Sequence, residues 1–215
     1  GVVTRREPML TKNLGITGVP ISAIGQGTGD LFWDGNASGE EKVAALRLGL
    51  DLGMFLIDTG EVYGDGASER IVGNAIRGSR EQAVLATKIS PAHHGYDDVL
   101  RAAEGSLRNL GSDYIDIYQV HWPNPSIPVS ETMEAMIRLV DSGKVRYVGL
   151  CNFTQAELLE AESALGSHRI VSMQNEYNLF ERTIEYSGTL RLCQEKEISV
   201  MAYSPLDQGR IGAMR

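Results

Sequence analysis

The chain has 215 residues, 42 % of them hydrophobic and 22 % charged, with a formal net charge of -8. That length supports one domain with a sizeable core, and the acidic balance argues against a nucleic-acid partner, which requires a basic face. No apolar run approaches the ~18 residues of a membrane span, the first residues Gly-Val-Val-Thr-Arg-Arg-Glu-Pro lack the apolar core of a signal peptide, and the two cysteines, Cys151 and Cys193, form no framework, so a cytoplasmic protein with reduced thiols is expected.

Residues 11–22 read as a small hairpin, with Asn13 to Gly18 supplying turn chemistry between β-formers. Strand-like runs then follow near 23–27, 55–58, 83–87, 114–120, 145–150, 170–176 and 198–203. Between them lie helix-like stretches near 40–52, 68–77, 97–110, 130–141, 154–165 and 184–195. Ser38-x-x-Glu41 and Thr154-x-x-Glu157 are capping boxes. Met133, Met136, Ile137 and Val140, and Leu100, Ala103 and Leu107, recur at helical spacing as core stripes. Gly111 and Gly143 stand where helices should stop.

Alternating strands and helices with short connections predict a parallel sheet. A doubly wound sheet should carry G-x-G-x-x-G before a helix. Gly25-Gln-Gly27-Thr-Gly29-Asp30 departs from it at the last position, with no helix directly behind. The regular spacing instead favours a (β/α)8 TIM-type barrel. Seven strand-like runs are present where a closed barrel has eight and typically ~250 residues. The expectation is a single barrel domain over residues 1–215, preceded by the hairpin, with about seven βα units and no eighth strand, eighth helix or C-terminal loop. An open seam between the seventh and first strands would then invite self-association.

Asp58, Tyr63, Lys88 and His121 each follow an apolar run, and strand C-terminal ends are where such barrels assemble active sites. A carboxylate, a phenol, an ammonium and an imidazole together can deliver a proton to a carbonyl oxygen. An unperturbed phenol, with pKa ~10, is a poor donor near neutrality. Lys88 is expected to lower the Tyr63 pKa, and Asp58 to keep the ammonium charged and fixed. The pair His93-His94 offers only two adjacent side chains pointing apart, with no third ligand nearby, and reads as a solvated loop rather than a metal site.

Six motifs in order carry a resemblance. They are Ile57-Asp-Thr-Gly-Glu-Val-Tyr63-Gly64, Leu85-Ala-Thr-Lys88, Val120-His-Trp-Pro123, Val148-Gly-Leu-Cys-Asn-Phe153, Gln174-Asn-Glu-Tyr-Asn178 and Ala202-Tyr-Ser-Pro-Leu206. From about Thr11 to Leu206 the chain resembles the aldo-keto reductases. Cys151 stands where the family usually has Ser. The resemblance implies reduction of small carbonyl compounds, aldehydes or ketones, by hydride from NADPH, with NADH the less favoured cofactor. Tyr63 would be the general acid, with Asp58, Lys88 and His121 completing the catalytic set. Cofactor contacts are implied for Gly27, Thr28 and Asp58, for Cys151, Asn152 and Gln174, and for Tyr203 with Ser204, Pro205 and Leu206. Tyr203 would stack on the nicotinamide, and the amides of Asn152 and Gln174 would meet its carboxamide. Trp33 and Trp122, together with Tyr63 and His121, are candidates to line the substrate pocket. Trp33, Trp122 and Phe153 are loop aromatics that either line a substrate pocket at the mouth or simply cover the barrel top. Two other readings stay open: a barrel that binds NADPH without catalysis, in a regulatory role, and an inactive fragment of a reductase.

Overall fold

A computed structural model describes residues 8–29 and 37–213. Strands β1 (Thr11–Asn13) and β2 (Pro20–Ser22) pair antiparallel as the expected hairpin. Its turn is a short 3-10 segment over Gly15–Thr17, left by Gly18 at φ 72°. Seven parallel strands follow: β3 (Gln26–Gly27), β4 (Leu56–Asp58), β5 (Val84–Ile89), β6 (Ile115–Val120), β7 (Val145–Cys151), β8 (Ile170–Glu176) and β9 (Ser199–Tyr203). Each pairs with the next in chain order. A doubly wound sheet reverses its strand order part-way; this one never does, and the arrangement is that of the TIM-type barrel. Among the described residues β3 and β9 do not pair with each other.

Helices α1 (Gly39–Asp51), α2 (Ala67–Ile76), α3 (Tyr96–Leu110), α4 (Val129–Asp141) and α5 (Gln155–Ala164) connect successive strands. Both capping boxes form: the Ser38 and Thr154 hydroxyls accept from the Glu41 and Glu157 amides, and each Glu carboxylate accepts from the backbone of its cap residue. Gly111 ends α3 at φ 59° and Gly143 follows α4 at φ 75°, conformations that glycine adopts at no steric cost. The single helix expected over 184–195 is instead α6 (Thr183–Tyr186) and α7 (Thr189–Glu195), interrupted by Gly188 at φ 83°. Helix α8 (Arg210–Ala213) closes the described chain. The first parallel strand is shorter than the expected 23–27, because Ala23 to Gly25 are exposed and lie outside the parallel sheet, the Ala23 N–H donating instead to the Leu10 carbonyl. No helix among the described residues is long and apolar enough to cross a membrane.

Alternation along the strands divides the core in two. Ile57, Leu85 and Tyr118 face outward, against Val72, Val99, Met133, Met136 and Leu158 of the helices. Their neighbours Leu56, Ala86 and Ile117 face into the barrel and meet Leu14 and Ile21 of the hairpin, which plugs one end. The Gly15 amide donates to Ser199 Oγ at 2.8 Å, tying the plug to β9. By the same alternation Asp58, Lys88 and Gln119, two residues further along each strand, face inward at the other end.

Candidate active site

Lys88 organises this end of the barrel. It is fully buried on β5, and its Nζ donates to Asp58 Oδ2 at 2.5 Å, to the Thr59 carbonyl at 2.9 Å and to Tyr63 Oη at 3.3 Å. Tyr63 is brought back over the strand ends by the turn Thr59–Gly66, which is tied to β5 through Thr59 N–H to the Ala86 carbonyl and Glu61 N–H to the Lys88 carbonyl. Gly60 and Gly29 lie against the phenol ring: a Cβ at either would come within 3.3 and 3.5 Å of it. The His121 ring, just past β6, stands edge-on to Tyr63 with centroids 5.7 Å apart. The four strand-end residues singled out from the sequence therefore form one contact group.

Burial opposes the Lys88 charge, but Asp58 foremost, then Tyr63 and Cys151, outweigh it and hold the ammonium above the usual lysine range. For Tyr63 the balance runs against expectation. Burial pushes its pKa up, and the opposing pull of Lys88 does not cancel it. The phenol thus keeps its proton near neutrality, with Lys88 pulling against the burial that raises its pKa. The His121 pKa is pushed down to about 4, by burial first and then by Lys88, so the imidazole is neutral and carries one N–H to donate.

The Asp58 carboxylate accepts on its second oxygen as well. Gln174 Nε2 reaches Oδ1 at 2.9 Å and Gln119 Nε2 reaches it at 3.1 Å. Gln119 was hidden in the sequence inside the run ending at Val120; its signal was strand parity, since it shares the inward face with Ile117 and His121.

The remaining candidates divide. Asn152, at the end of β7 with φ 61°, donates from Nδ2 to the His121 carbonyl at 3.1 Å and accepts the Tyr203 hydroxyl at 3.0 Å. Tyr203 is half-buried at the end of β9, Ser204 follows at φ 50°, and Pro205 and Leu206 are exposed. Gly27 is exposed on β3. Thr28 and Cys151, by contrast, are fully buried. The Thr28 hydroxyl is spent on the Asp58 carbonyl and the Ser68 hydroxyl, and the Cys151 thiol faces Gln119 Oε1 at 3.9 Å. Neither side chain is open to a ligand, because the strand ends around them are already filled. Trp122 is 48 % exposed at the rim. Phe153 is buried in the outer core instead of lining the mouth. Trp33 lies outside the described residues. His94 is not solvated: it is buried, its pKa pushed down to about 4 by burial, while exposed His93 pairs with Glu61 at 3.0 Å. Among the described residues no group of three or more His, Cys, Asp or Glu is arranged to hold a metal ion.

The fold and this polar cluster define a TIM-type barrel with a carboxylate, an ammonium, a phenol and an imidazole assembled on its strand ends. The chain belongs to the aldo/keto reductase family, whose model matches residues 23–213. It is 42 % identical over 194 residues to methylglyoxal reductase YeaE of Escherichia coli (strain K12), spanning 90 % of this chain and 67 % of that protein. It is 39 % identical over 206 residues to aldo-keto reductase YhdN of Bacillus subtilis (strain 168), spanning 90 % of this chain and 61 % of the relative. Among solved structures, a thermostable aldo-keto reductase in complex with epalrestat matches with a TM-score of 0.88 at 40 % identity, over 94 % of this chain and 74 % of that one. An aldo/keto reductase from Klebsiella pneumoniae in complex with NADP and acetate matches with a TM-score of 0.79 at 41 % identity, over 89 % and 67 % of the two chains. The chain thus spans roughly two thirds of the length of the curated relatives it matches.

Proposed function

We propose that this chain is a nicotinamide-dependent oxidoreductase that reduces aldehydes or ketones to alcohols, with NADPH favoured over NADH. The observation that carries the reading is the contact chain from Asp58 through Lys88 to Tyr63, with neutral His121 against the phenol. The name of the YeaE relative and the NADP-bound neighbour support a small carbonyl substrate, methylglyoxal among the candidates, and this cofactor.

The residues present fit such a cofactor. Asn152 retains one amide N–H and one lone pair beyond its two bonds, Gln174 retains an N–H and its oxygen, and the half-buried Tyr203 ring stands beside Asn152. Together with Ser204, the exposed Pro205 and Leu206, and Gly27, these would hold it. When bound, the reduced nicotinamide supplies the hydride. Tyr63, protonated at neutral pH, donates its proton as negative charge builds on the carbonyl oxygen. Lys88, 3.3 Å away, stabilises the phenolate left behind. The N–H of His121 orients the same oxygen, and Asp58 keeps the ammonium charged.

The test is single-turnover reduction of methylglyoxal and of 4-nitrobenzaldehyde, with NADPH binding followed by quenching of intrinsic fluorescence. Tyr63→Phe is expected to slow reduction by about 10²–10⁴-fold, the usual contribution of general acid catalysis, with NADPH affinity unchanged. Equal rates for the two proteins would remove Tyr63 from the role. NADPH binding without turnover by the unaltered chain would favour the non-catalytic barrel.

A further inference from the structure

Asp58 is held from three directions. Lys88 occupies Oδ2, while the amides of Gln119 and Gln174 share Oδ1. Of the two amides, Gln119 is the more deeply committed. It is wholly buried on β6, and a buried amide is costly unless both of its ends are bonded. Its nitrogen end meets Asp58. Its oxygen end meets the Cys151 thiol at 3.9 Å, which burial keeps protonated and therefore able to donate. This fixes the amide the right way round; turned over, it would set an oxygen against a carboxylate.

The neighbouring strand makes room for it. A Cβ at Gly149, the β7 residue paired with Gln119, would lie 2.9 Å from Gln119 Cγ and 2.4 Å from Ser172 Oγ. The layer beneath is apolar, built from Leu56, Ala86, Ile117 and Val171, so a leucine at position 119 would suit packing alone.

We infer that Gln119 is a positioning residue: its amide, oriented by Cys151 and accommodated by Gly149, holds Asp58 so that Oδ2 faces Lys88, and thereby sets the charge beside Tyr63. The inference rests on the carbonyl-reductase reading for its kinetic consequences. The titratable groups around position 119 are Asp58 from β4, Tyr63 from the following turn, Lys88 from β5, His121 from the end of its own strand, Cys151 from β7 and Tyr203 from β9; β8 contributes the neutral Gln174 and, two residues further along, Glu176, whose charge acts on Tyr203.

Two variants test it. Gln119→Leu should slow single-turnover reduction by about 10- to 100-fold, the usual weight of a hydrogen bond to a charged group, without weakening NADPH binding. Gln119→Glu places a second carboxyl against Asp58, and two carboxyls sharing a site push one pKa strongly upward. Protonated, the new group donates to Asp58; ionised, it repels it. Its rate should therefore fall along an added pH limb that the unaltered chain lacks, which a purely structural role would not produce. An unchanged rate in Gln119→Leu together with an unaltered pH profile in Gln119→Glu would overturn the inference. A readout independent of turnover is the ammonium resonance of Lys88 in isotope-labelled protein, assigned with Lys88→Met. It should persist in the unaltered chain and broaden in Gln119→Leu. Broadening in a chain that reduces no carbonyl would support the positioning role while ending the reductase reading. A resonance as sharp in Gln119→Leu as in the unaltered chain would overturn the positioning role.

Discussion

Removing either partner of the Asp58–Lys88 pair deletes the same contact, yet the two losses should differ. The Lys88 side chain has no exposed surface, whereas the Asp58 side chain keeps 18 %. In Asp58→Ala the ammonium retains only the Thr59 carbonyl and the Tyr63 hydroxyl, both neutral, and a buried charge left without its partner costs about 3–5 kcal/mol. In Lys88→Met the carboxylate retains two amide donors and its contact with solvent. The loss should then be nearer that of one charged hydrogen bond, about 1.5–3 kcal/mol. Urea unfolding at neutral pH measures both. The pH dependence separates the variants further. In the unaltered chain the folded pKa of Lys88 lies above the ordinary 10.5, so its stabilisation is complete below 10.5 and lost as pH rises through the folded value. In Asp58→Ala, burial, the largest single influence on Lys88, acts without the main opposing charge and depresses the folded pKa below the unfolded one. The folded state then binds fewer protons, and the variant should gain stability as pH rises toward 10.5 while the unaltered chain stays level. Equal losses in the two variants, or parallel pH curves for Asp58→Ala and the unaltered chain, would refute this account.

Two further outcomes follow from the packing and the edges. Gly149→Ala should destabilise the protein by about 1–3 kcal/mol, the usual cost of overfilling a core, because its Cβ would strike Ser172 Oγ and Gln119; urea unfolding with the unaltered slope checks it. Among the described residues no strand pairs with the outer edge of β9, and an unpaired strand edge invites association, so sedimentation at rising concentration should show more than monomer, and a strictly monomeric protein would count against it.

The parts of this molecule that could be read from the sequence are those governed by local rules. Ser38 and Thr154 announce their helices because a cap acts within one turn. Asp58, Lys88 and His121 were visible because a polar residue at the end of an apolar strand has few places to go except the barrel mouth. What escaped depends on neighbours distant in the chain. Asp116 and Gln119 interrupt the same strand, three residues apart. One is paired to Arg80 and Arg146 near the start of β6, and the other holds Asp58 near its end. Strand parity puts the two on opposite faces, but only the neighbouring strands and loops show what each one meets. The family resemblance implied cofactor contacts for Thr28 and Cys151, but only the packing of adjacent strands reveals that both side chains are fully buried. The Tyr63 pKa was misjudged for a similar reason: the nearby charge was evident from the residues, but the depth of burial opposing it was not.

The hairpin plug has a kinetic side. The bond from Gly15 to Ser199 joins residues 184 apart in sequence, and the hydroxyl of the same serine donates to the Asn13 carbonyl. The floor of the barrel therefore cannot be sealed until β9 has been synthesised and has found its neighbour, while β4 to β8 can pair one after another as they emerge. Contacts so far apart are slow to form, because the entropy of closing the loop is lost before the contact repays it. During synthesis the apolar faces of Leu14 and Ile21 must wait for β9, and sealing of the plug is expected to follow the pairing of β4 to β8.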